Sequence, residues 1–290
     1  MTERGDRIDL HTHSIYSDGS STVAQLVAHA SDLGIAAIAL TDHDTLSGLG
    51  EFMRECETYG VGCVPGVEFS SGVKGEESFP VHILGYYFDP ESRIMREVFA
   101  QMQEDRRQLH YQYMEKINAA GFTITEEEIK AVAPVGGVGR AHYARVMMDR
   151  GYVSSVKEGF EKYFNVGMPL YIERKVLDPK EAVSIIHEAG GAAFFAHPHQ
   201  TKLSDEKVFA FMKEMRDAGL DGIEGYYSEF TPEMGKKYRA MASTLGLLLS
   251  GGSDYHAEMK PHIELGIGTG DLFVPRELLE PIRERAEKYK

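Results

Sequence analysis

The sequence predicts an α/β fold around a parallel sheet, open or closed, with a helical insertion. Three observations predict it. Short apolar runs alternate with segments of helical period, most runs end in polar residues, and residues 91–170 break the rhythm. "RIDL" (7–10) is the first strand, followed by "STVAQLVAHASDLG" (21–34). There Val23, Leu26, Val27, Ala30 and Leu33 recur at helical spacing, and Gly34 provides a stop. "IAAIAL" (35–40) reads as a buried strand and "TLSGLGEFMRECETYG" (45–60) as a helix capped by Asp44 or Thr45. "VGCVPGVEF" (61–69) and "VHILGYYF" (81–88) read as strands.

The alternation resumes further on. "DPKEAVSIIHEAGG" (178–191) is helical, with Pro179 in its first turn, and "AAFFAH" (192–197) is a strand. "DEKVFAFMKEMRDAGL" (205–220) and "EMGKKYRAMASTLG" (233–246) are helices, each followed by a strand, "DGIEGY" (221–226) and "LLLSGGSD" (247–254). Between the two halves lies a long helical pattern with Val98, Met102, Leu109, Tyr113 and Ile117 near one stripe, then shorter helical pieces and no convincing strand. This stretch is an insertion in the α/β domain and not an independent fold. The expected division is a barrel of residues 1–90 and 171–290, with 91–170 inserted.

Bulk composition narrows the function. The chain has 290 residues, is 42% apolar, and carries a formal charge of −14. Such an acidic surface repels bulk nucleic acid and anionic membranes but leaves room for a basic pocket around one phosphate. No apolar run approaches the roughly 20 residues of a membrane helix. The charged start, "MTERGDRIDL", lacks the apolar core of a signal peptide. Cys56 and Cys63 form neither a CxxC pattern nor a disulfide framework, so a cytoplasmic location with reduced thiols is expected. Any transition metal would then need His, Asp and Glu as ligands.

Those residues punctuate the strands. The first ends in His11 and His13; the second in Asp42, His43 and Asp44; the third carries Glu68 and the fourth His82; the fifth ends in His197 and His199, and the last in Asp254 and His256. In a parallel α/β barrel or sheet the C-terminal strand ends share one face. Residues two apart on a strand point the same way, so His11 and His13 can converge. A cluster of imidazoles and carboxylates without thiolate suits Zn, Mn or Fe better than Ca or Mg. Asp42 is a candidate hydrogen-bond acceptor behind a metal-bound imidazole, or a cap. His29, His110, His187 and His262 lie away from strand ends and read as surface or packing residues.

The motifs "DLHTHSIYSDG" (9–19), "ALTDHDT" (39–45), "PGVEFS" (65–70), "VHILGY" (81–86), "FFAHPH" (194–199) and "GGSDYH" (251–256) resemble, in the same order, those of the PHP (polymerase and histidinol phosphatase) family. The resemblance implies a distorted (β/α)7 barrel with a helical insertion capping the active site. It implies two to three divalent ions (Mn, Fe or Zn) and hydrolysis of small phosphate esters. The similar branch contains nucleoside 3',5'-bisphosphate phosphatases, 5'-to-3' exoribonucleases and cyclic-phosphate hydrolases. Carried onto this chain, one ion would sit on His11, His13, Glu68 and Asp254; Glu68 would bridge to a second held by His82 and His197; a third would take Asp18, His43 and His256.

The resemblance further implies phosphate contacts from the insertion. "GRAHYAR" offers Arg140 and His142, after the glycines 136, 137 and 139; Lys175 and Arg107 are further candidates. Nucleotide-acting members often follow the His-Pro with Gly-Arg, whereas this chain has "HPHQTK", so His199 replaces the glycine. That departure favours a cyclic phosphate or small phosphomonoester as strongly as a nucleotide. The implied chemistry is in-line attack on phosphorus by a hydroxide held at the metal pair, with His199 or His256 protonating the leaving oxygen. Two rivals stand beside this reading: a metal amidohydrolase, which also begins with HxH but typically has a carboxylated lysine on the fourth strand, where this chain has His82, and a non-catalytic metal-binding module.

Overall fold

In the computed structural model, which describes residues 5–75, 78–133, 138–173 and 175–290, strands and helices alternate from the start. β1 (Ile8–Asp9) is followed by α1 (Val23–Asp32), β2 (Ala37–Leu40), α2 (Leu49–Tyr59), β3 (Gly62–Val73) and β4 (Phe79–Tyr86). Next come α3 (Arg93–Ala119), α4 (Glu126–Val132), α5 (Arg140–Asp149) and α6 (Val156–Gly159). The remainder is α7 (Pro179–Glu188), β5 (Ala192–Phe195), α8 (Asp205–Asp217), β6 (Gly222–Tyr227), α9 (Pro232–Leu245), β7 (Leu248–Gly252) and α10 (Leu279–Glu287). Local chemistry sets several starts. Thr22 and Gln25 form a reciprocal capping box on α1, and Asp178 and Thr231 cap α7 and α9 ahead of a proline.

The seven strands form one sheet in sequence order. β1 to β3 are parallel, as are β5 to β7. β4, however, is antiparallel to both neighbours, which corrects the expectation of a parallel sheet throughout. The cause is loop length. A parallel return needs a crossover of roughly a dozen residues or more; residues 74–78 are too few, so β4 folds back as a hairpin arm. The sheet then curls until β7 meets β1: Leu10 N–H donates to Gly251 O at 3.0 Å, and Asp254 N–H to His11 O at 2.8 Å. Gly252 is required at this seam, where a Cβ would lie 2.3 Å from the His11 nitrogen. The result is a nearly closed barrel of mixed strands.

The barrel elements belong to one compact unit, Met1–Glu97 with Val176–Lys290. Ile8, Leu10, Ala39, Val64, Leu84, Tyr86 and Phe194 pack with Ile282 and Ala286 of α10. Each buried Leu, Ile or Phe among them contributes about 1.5–3 kcal/mol. Val98–Lys175 form a second unit, helical as expected. It has an apolar core of its own around Tyr113, Ile117, Tyr143, Met147 and Phe164, which the insertion reading did not anticipate. His110 ties three of its helices together, with Nδ1 2.6 Å from Tyr143 Oη and Nε2 2.9 Å from Glu126 Oε1. Gly136 and Gly137 lie outside the described residues.

α2 starts later than expected, at Leu49, and its N-cap is Gly48 without a side-chain bond. Asp44 instead adopts φ 50° and accepts from Ser70 N–H at 2.8 Å, so it braces β3 rather than capping a helix. Among the described residues no helix is long and apolar enough to cross a membrane.

A buried carboxylate fastens the C-terminal helix. Asp221 is 0% exposed and binds His187 Nε2 at 2.9 Å, Arg285 at 2.9 Å, Tyr289 Oη at 2.8 Å and the Ala193 N–H at 2.8 Å. Asp221→Ala strands these donors and is expected to cost about 3–5 kcal/mol, read as a lower urea midpoint at unchanged slope. Burial alone would raise this carboxyl, but His187, the Ala193 N–H, Arg285 and Tyr289 hold it below its ordinary value of 3.8. Its stabilisation is therefore complete above that value and is lost as pH falls through the lower folded one. An acid transition identical in wild type and Asp221→Ala would refute the assignment.

Candidate metal centre

The strand ends and the loops after them gather side chains that lie far apart in the chain. His11 and His13 follow β1 in extended backbone, and Thr12 between them bridges to Tyr255 beyond β7. His43 follows β2, where its backbone bridges to Glu68. Glu68 lies within β3, and the reversed β4 presents His82 opposite Ser70, diagonal to Glu68 on the same face. Reversal thus explains why His82 comes early in its strand while the other ligand candidates come late in theirs or beyond. His197 follows β5, and Asp254 and His256 follow β7.

Glu68 sits at the centre and is 1% exposed. Its Oε2 lies 3.1 Å from His11 Nε2, 3.3 Å from His13 Nε2 and 3.3 Å from His43 Nδ1; its Oε1 lies 2.8 Å from His82 Nδ1 and 2.9 Å from His197 Nε2. Asp254 Oδ1 approaches His13 Nε2 (3.2 Å), His256 Nδ1 (3.3 Å) and His11 Nε2 (3.6 Å). Asp18, exposed at the rim, reaches His256 Nε2 at 3.2 Å, His13 Nδ1 at 3.5 Å and His43 Nε2 at 3.8 Å. The structure therefore brings together all nine residues expected as ligands.

Four overlapping groups could each hold an ion: His11, His13 and Asp254; His11, Glu68 and His197; His43, Glu68 and His82; and His13, Asp18, His43 and His256. Two details fit metal better than a hydrogen-bonded core. Among the described residues, His13 Nε2 and His43 Nδ1 are buried without a hydrogen-bond partner, although carboxylate oxygens lie nearby. Moreover, His197 (φ 27°) and Asp254 (φ 58°) hold left-handed backbone. Strain of this kind costs about 1–3 kcal/mol per residue and clusters at functional sites.

Charge is shared unevenly. Burial disfavours protonation of His11 and His13, but the facing carboxylates outweigh it. Glu224, Glu68 and Asp254 push His11 well above its ordinary value, and Asp254, Glu68 and Asp18 push His13 up to about 10. His43 goes the other way, to about 4, because burial and the neighbouring His13 outweigh Glu68. Burial would raise Glu68 and Asp254, yet the surrounding imidazoles hold both well below the carboxylate range.

Three contributors escaped the sequence reading. Glu224, 0% exposed in β6, accepts from His11 Nδ1 at 2.8 Å and from the His197 N–H at 2.7 Å. It fixes the His11 tautomer so that Nε2 offers its lone pair to the cluster. Tyr227 Oη and Lys260 Nζ both donate to Asp254 Oδ2, each at 2.7 Å, which leaves Oδ1 for the imidazoles. Asp42 does not support an imidazole as expected: it accepts from Ser14 N–H (2.8 Å), Ser14 Oγ (2.6 Å) and Ser17 Oγ (2.6 Å) and so holds the loop to Asp18.

Of the expected substrate contacts, only His199 belongs to this unit. Its Nε2 lies 3.3 Å from Glu229, and its buried Nδ1 has no partner. The others lie in the helical unit. Arg140 donates to Phe164 O at 3.1 Å and lies over Phe160 and Tyr171, while His142 Nδ1 accepts from Gly139 N–H at 3.0 Å. Lys175 stands 3.8 Å from Asp105, and Arg107 pairs with Glu104.

Two outcomes are expected. Glu224→Gln should weaken metal binding about 10–100-fold, measured by competition with a chromogenic chelator; unchanged affinity would remove its orienting role. Because the facing carboxylates raise His11 and His13, and an imidazole must shed its proton to ligate, metal uptake near neutral pH should release protons, and affinity should fall as pH drops. Calorimetry in two buffers of different ionisation enthalpy measures this release, and identical heats would contradict it.

The comparisons with known proteins agree with this geometry. A model of the PHP domain matches residues 9–173. The 5'-3' exoribonuclease Rnm of Escherichia coli is 31% identical over 260 residues, 89% of this chain and 87% of that protein. The 3',5'-nucleoside bisphosphate phosphatase of Chromobacterium violaceum is 31% identical over 251 residues, 86% of this chain and 87% of its own length. Among solved structures, a candidate metal-dependent phosphoesterase from Bifidobacterium adolescentis superposes with TM-score 0.78 at 28% identity, covering 96% of each chain. Domain match, full-length relatives and the clustered ligands together make this chain a member of the PHP domain family.

Proposed function

We propose that the protein is a phosphoesterase that hydrolyses small phosphate esters with two to three divalent ions (Mn, Fe or Zn). The ligands would be His11, His13, Asp18, His43, Glu68, His82, His197, Asp254 and His256. One observation carries the reading: six imidazoles and three carboxylates converge, and two of the buried imidazole nitrogens have no hydrogen-bond partner. When bound, such ions acidify water and offset the negative charge that builds on phosphoryl oxygens.

The protein groups have separable tasks. Glu68 is the shared anion of the cluster, and Glu224 orients His11. His256 spends Nδ1 on the Asp254 carbonyl (2.8 Å) and Nε2 on Asp18, which supports a ligand role. His199 is then the group left for the leaving side of the substrate, steadied through Nε2 by Glu229. Arg140 and His142, with Lys175 in a lesser part, are assigned to the substrate phosphate. The substrate is small because a protein of formal charge −14 has little attraction for bulk nucleic acid. The cytoplasm is the assigned compartment, in keeping with two cysteines that are not joined in a disulfide.

A panel of nucleotides, bisphosphates, cyclic phosphates and sugar phosphates, run beside amides and lactones, tests the reaction class; turnover of amides alone would favour an amidohydrolase. His13→Ala should lose metal and phosphate release together, measured by elemental analysis and colorimetric assay, and full turnover would overturn the ligand set. Arg140→Ala should raise KM about tenfold, as loss of one charge-assisted contact does, with metal content unchanged.

A further inference from the structure

Asp254 receives more donors than its position needs. Tyr227 is 3% exposed, and its hydroxyl, which accepts from Gln200 Nε2 at 2.9 Å, donates to Asp254 Oδ2 at 2.7 Å. That bond holds the outer carboxylate oxygen, with Oδ1 turned to His13, His256 and His11. Lys260 Nζ adds a second donor to the same oxygen at 2.7 Å, from a side chain 34% exposed. An ammonium has three N–H donors, and among the described residues Asp254 is the one recorded partner of Lys260. Two further donors of an ammonium that is paired on one side with Asp254 thus remain beside the candidate metal cluster, on a turn whose preceding residue, Met259, is 66% exposed.

We infer that Lys260 is a substrate-binding residue of the barrel itself, selecting a terminal phosphate dianion over a diester, and that Tyr227 is the positioning residue that holds Asp254 independently. The inference rests on the phosphoesterase reading. A terminal phosphate offers three non-bridging oxygens and up to two charges; a diester offers two oxygens and one charge. An extra cation at the rim therefore favours the former. Lysine suits the task because its compact ammonium can share its donors between Asp254 and a phosphate oxygen.

The test uses the Mn-saturated full chain as wild type, Lys260→Ala, Lys260→Arg and Tyr227→Phe. Titration calorimetry with inorganic phosphate gives the affinity, elemental analysis the metal content, and turnover of p-nitrophenyl phosphate and bis-p-nitrophenyl phosphate the split between KM and kcat. Lys260→Ala is expected to weaken phosphate binding and raise the monoester KM about tenfold, equivalent to about 1.4 kcal/mol. The diester KM should change much less, and Lys260→Arg should recover most of the loss. Tyr227→Phe should lower metal occupancy before saturation and leave phosphate affinity unchanged once saturated. Unaltered phosphate affinity in fully metallated Lys260→Ala would overturn the assignment, as would an equal loss in Tyr227→Phe. If wild type cleaves neither ester, the phosphoesterase reading fails, and the phosphate titrations still decide the role of Lys260.

Discussion

The Glu68 carboxylate, buried against five imidazoles, is the constraint around which the barrel is organised. An isolated buried carboxylate would be costly and would take up a proton. Here burial pushes in that direction, but imidazoles His11, His43 and His82 more than offset it. Those partners arrive from different strands, so the carboxylate stays ionised only if the barrel brings its seams together. The reversed β4 matters for the same reason. A parallel β4 would carry its early residues, His82 among them, to the opposite end of the sheet, and Oε1 of Glu68 would lose one of its two close nitrogens.

Around this centre, further buried acids hold backbone in place rather than facing the cluster directly. Asp9 accepts from Ser253 N–H at 2.9 Å, Gly266 N–H at 2.8 Å and His11 N–H at 3.2 Å, across the seam where β7 meets β1. Asp42 does the same for the loop that ends in Asp18, and Asp44 for the backbone of β3. Glu224 belongs to both layers, with one oxygen on an imidazole and the other on a backbone N–H. Strained backbone at His197 and Asp254 persists because hydrogen bonds on either side over-determine it.

This layering explains what could be read from the sequence. The strand–helix alternation and most ligand candidates were legible because they lie where an apolar run gives way to His, Asp or Glu; Glu68 and His82, inside their strands, were legible from the motifs around them. Membership of a PHP-like family was legible from six motifs in order. The direction of β4 was not visible in "VHILGYYF", whose composition suits either sense; only the short 74–78 connection carried that information. Glu224 was hidden inside "DGIEGY", where an acid in mid-strand resembles a solvent-facing residue. A carboxylate flanked by Ile223 and Gly225 in an otherwise apolar strand was the available signal. Tyr227 and Lys260 had none, because what they share is a third residue, Asp254, that no spacing relates to both. Asp42 was assigned the wrong partner since its true ones, Ser14 and Ser17, belong to a loop after a different strand.

The balance of charge also bears on how the barrel folds. Structural zinc modules collapse without metal because little else holds them together. This barrel differs on two counts. Its apolar core around Leu10, Leu84, Tyr86 and Phe194 includes no ligand, and its cluster carries its own compensation. Glu224, Glu68 and Asp254 push His11 well above its ordinary value, and Asp254, Glu68 and Asp18 push His13 up to about 10, so these carboxylates face imidazoles that favour the protonated form. The left-handed backbone at His197 and Asp254 is tied into the barrel by their own amides, His197 N–H donating to Glu224 at 2.7 Å and Asp254 N–H to His11 O at 2.8 Å.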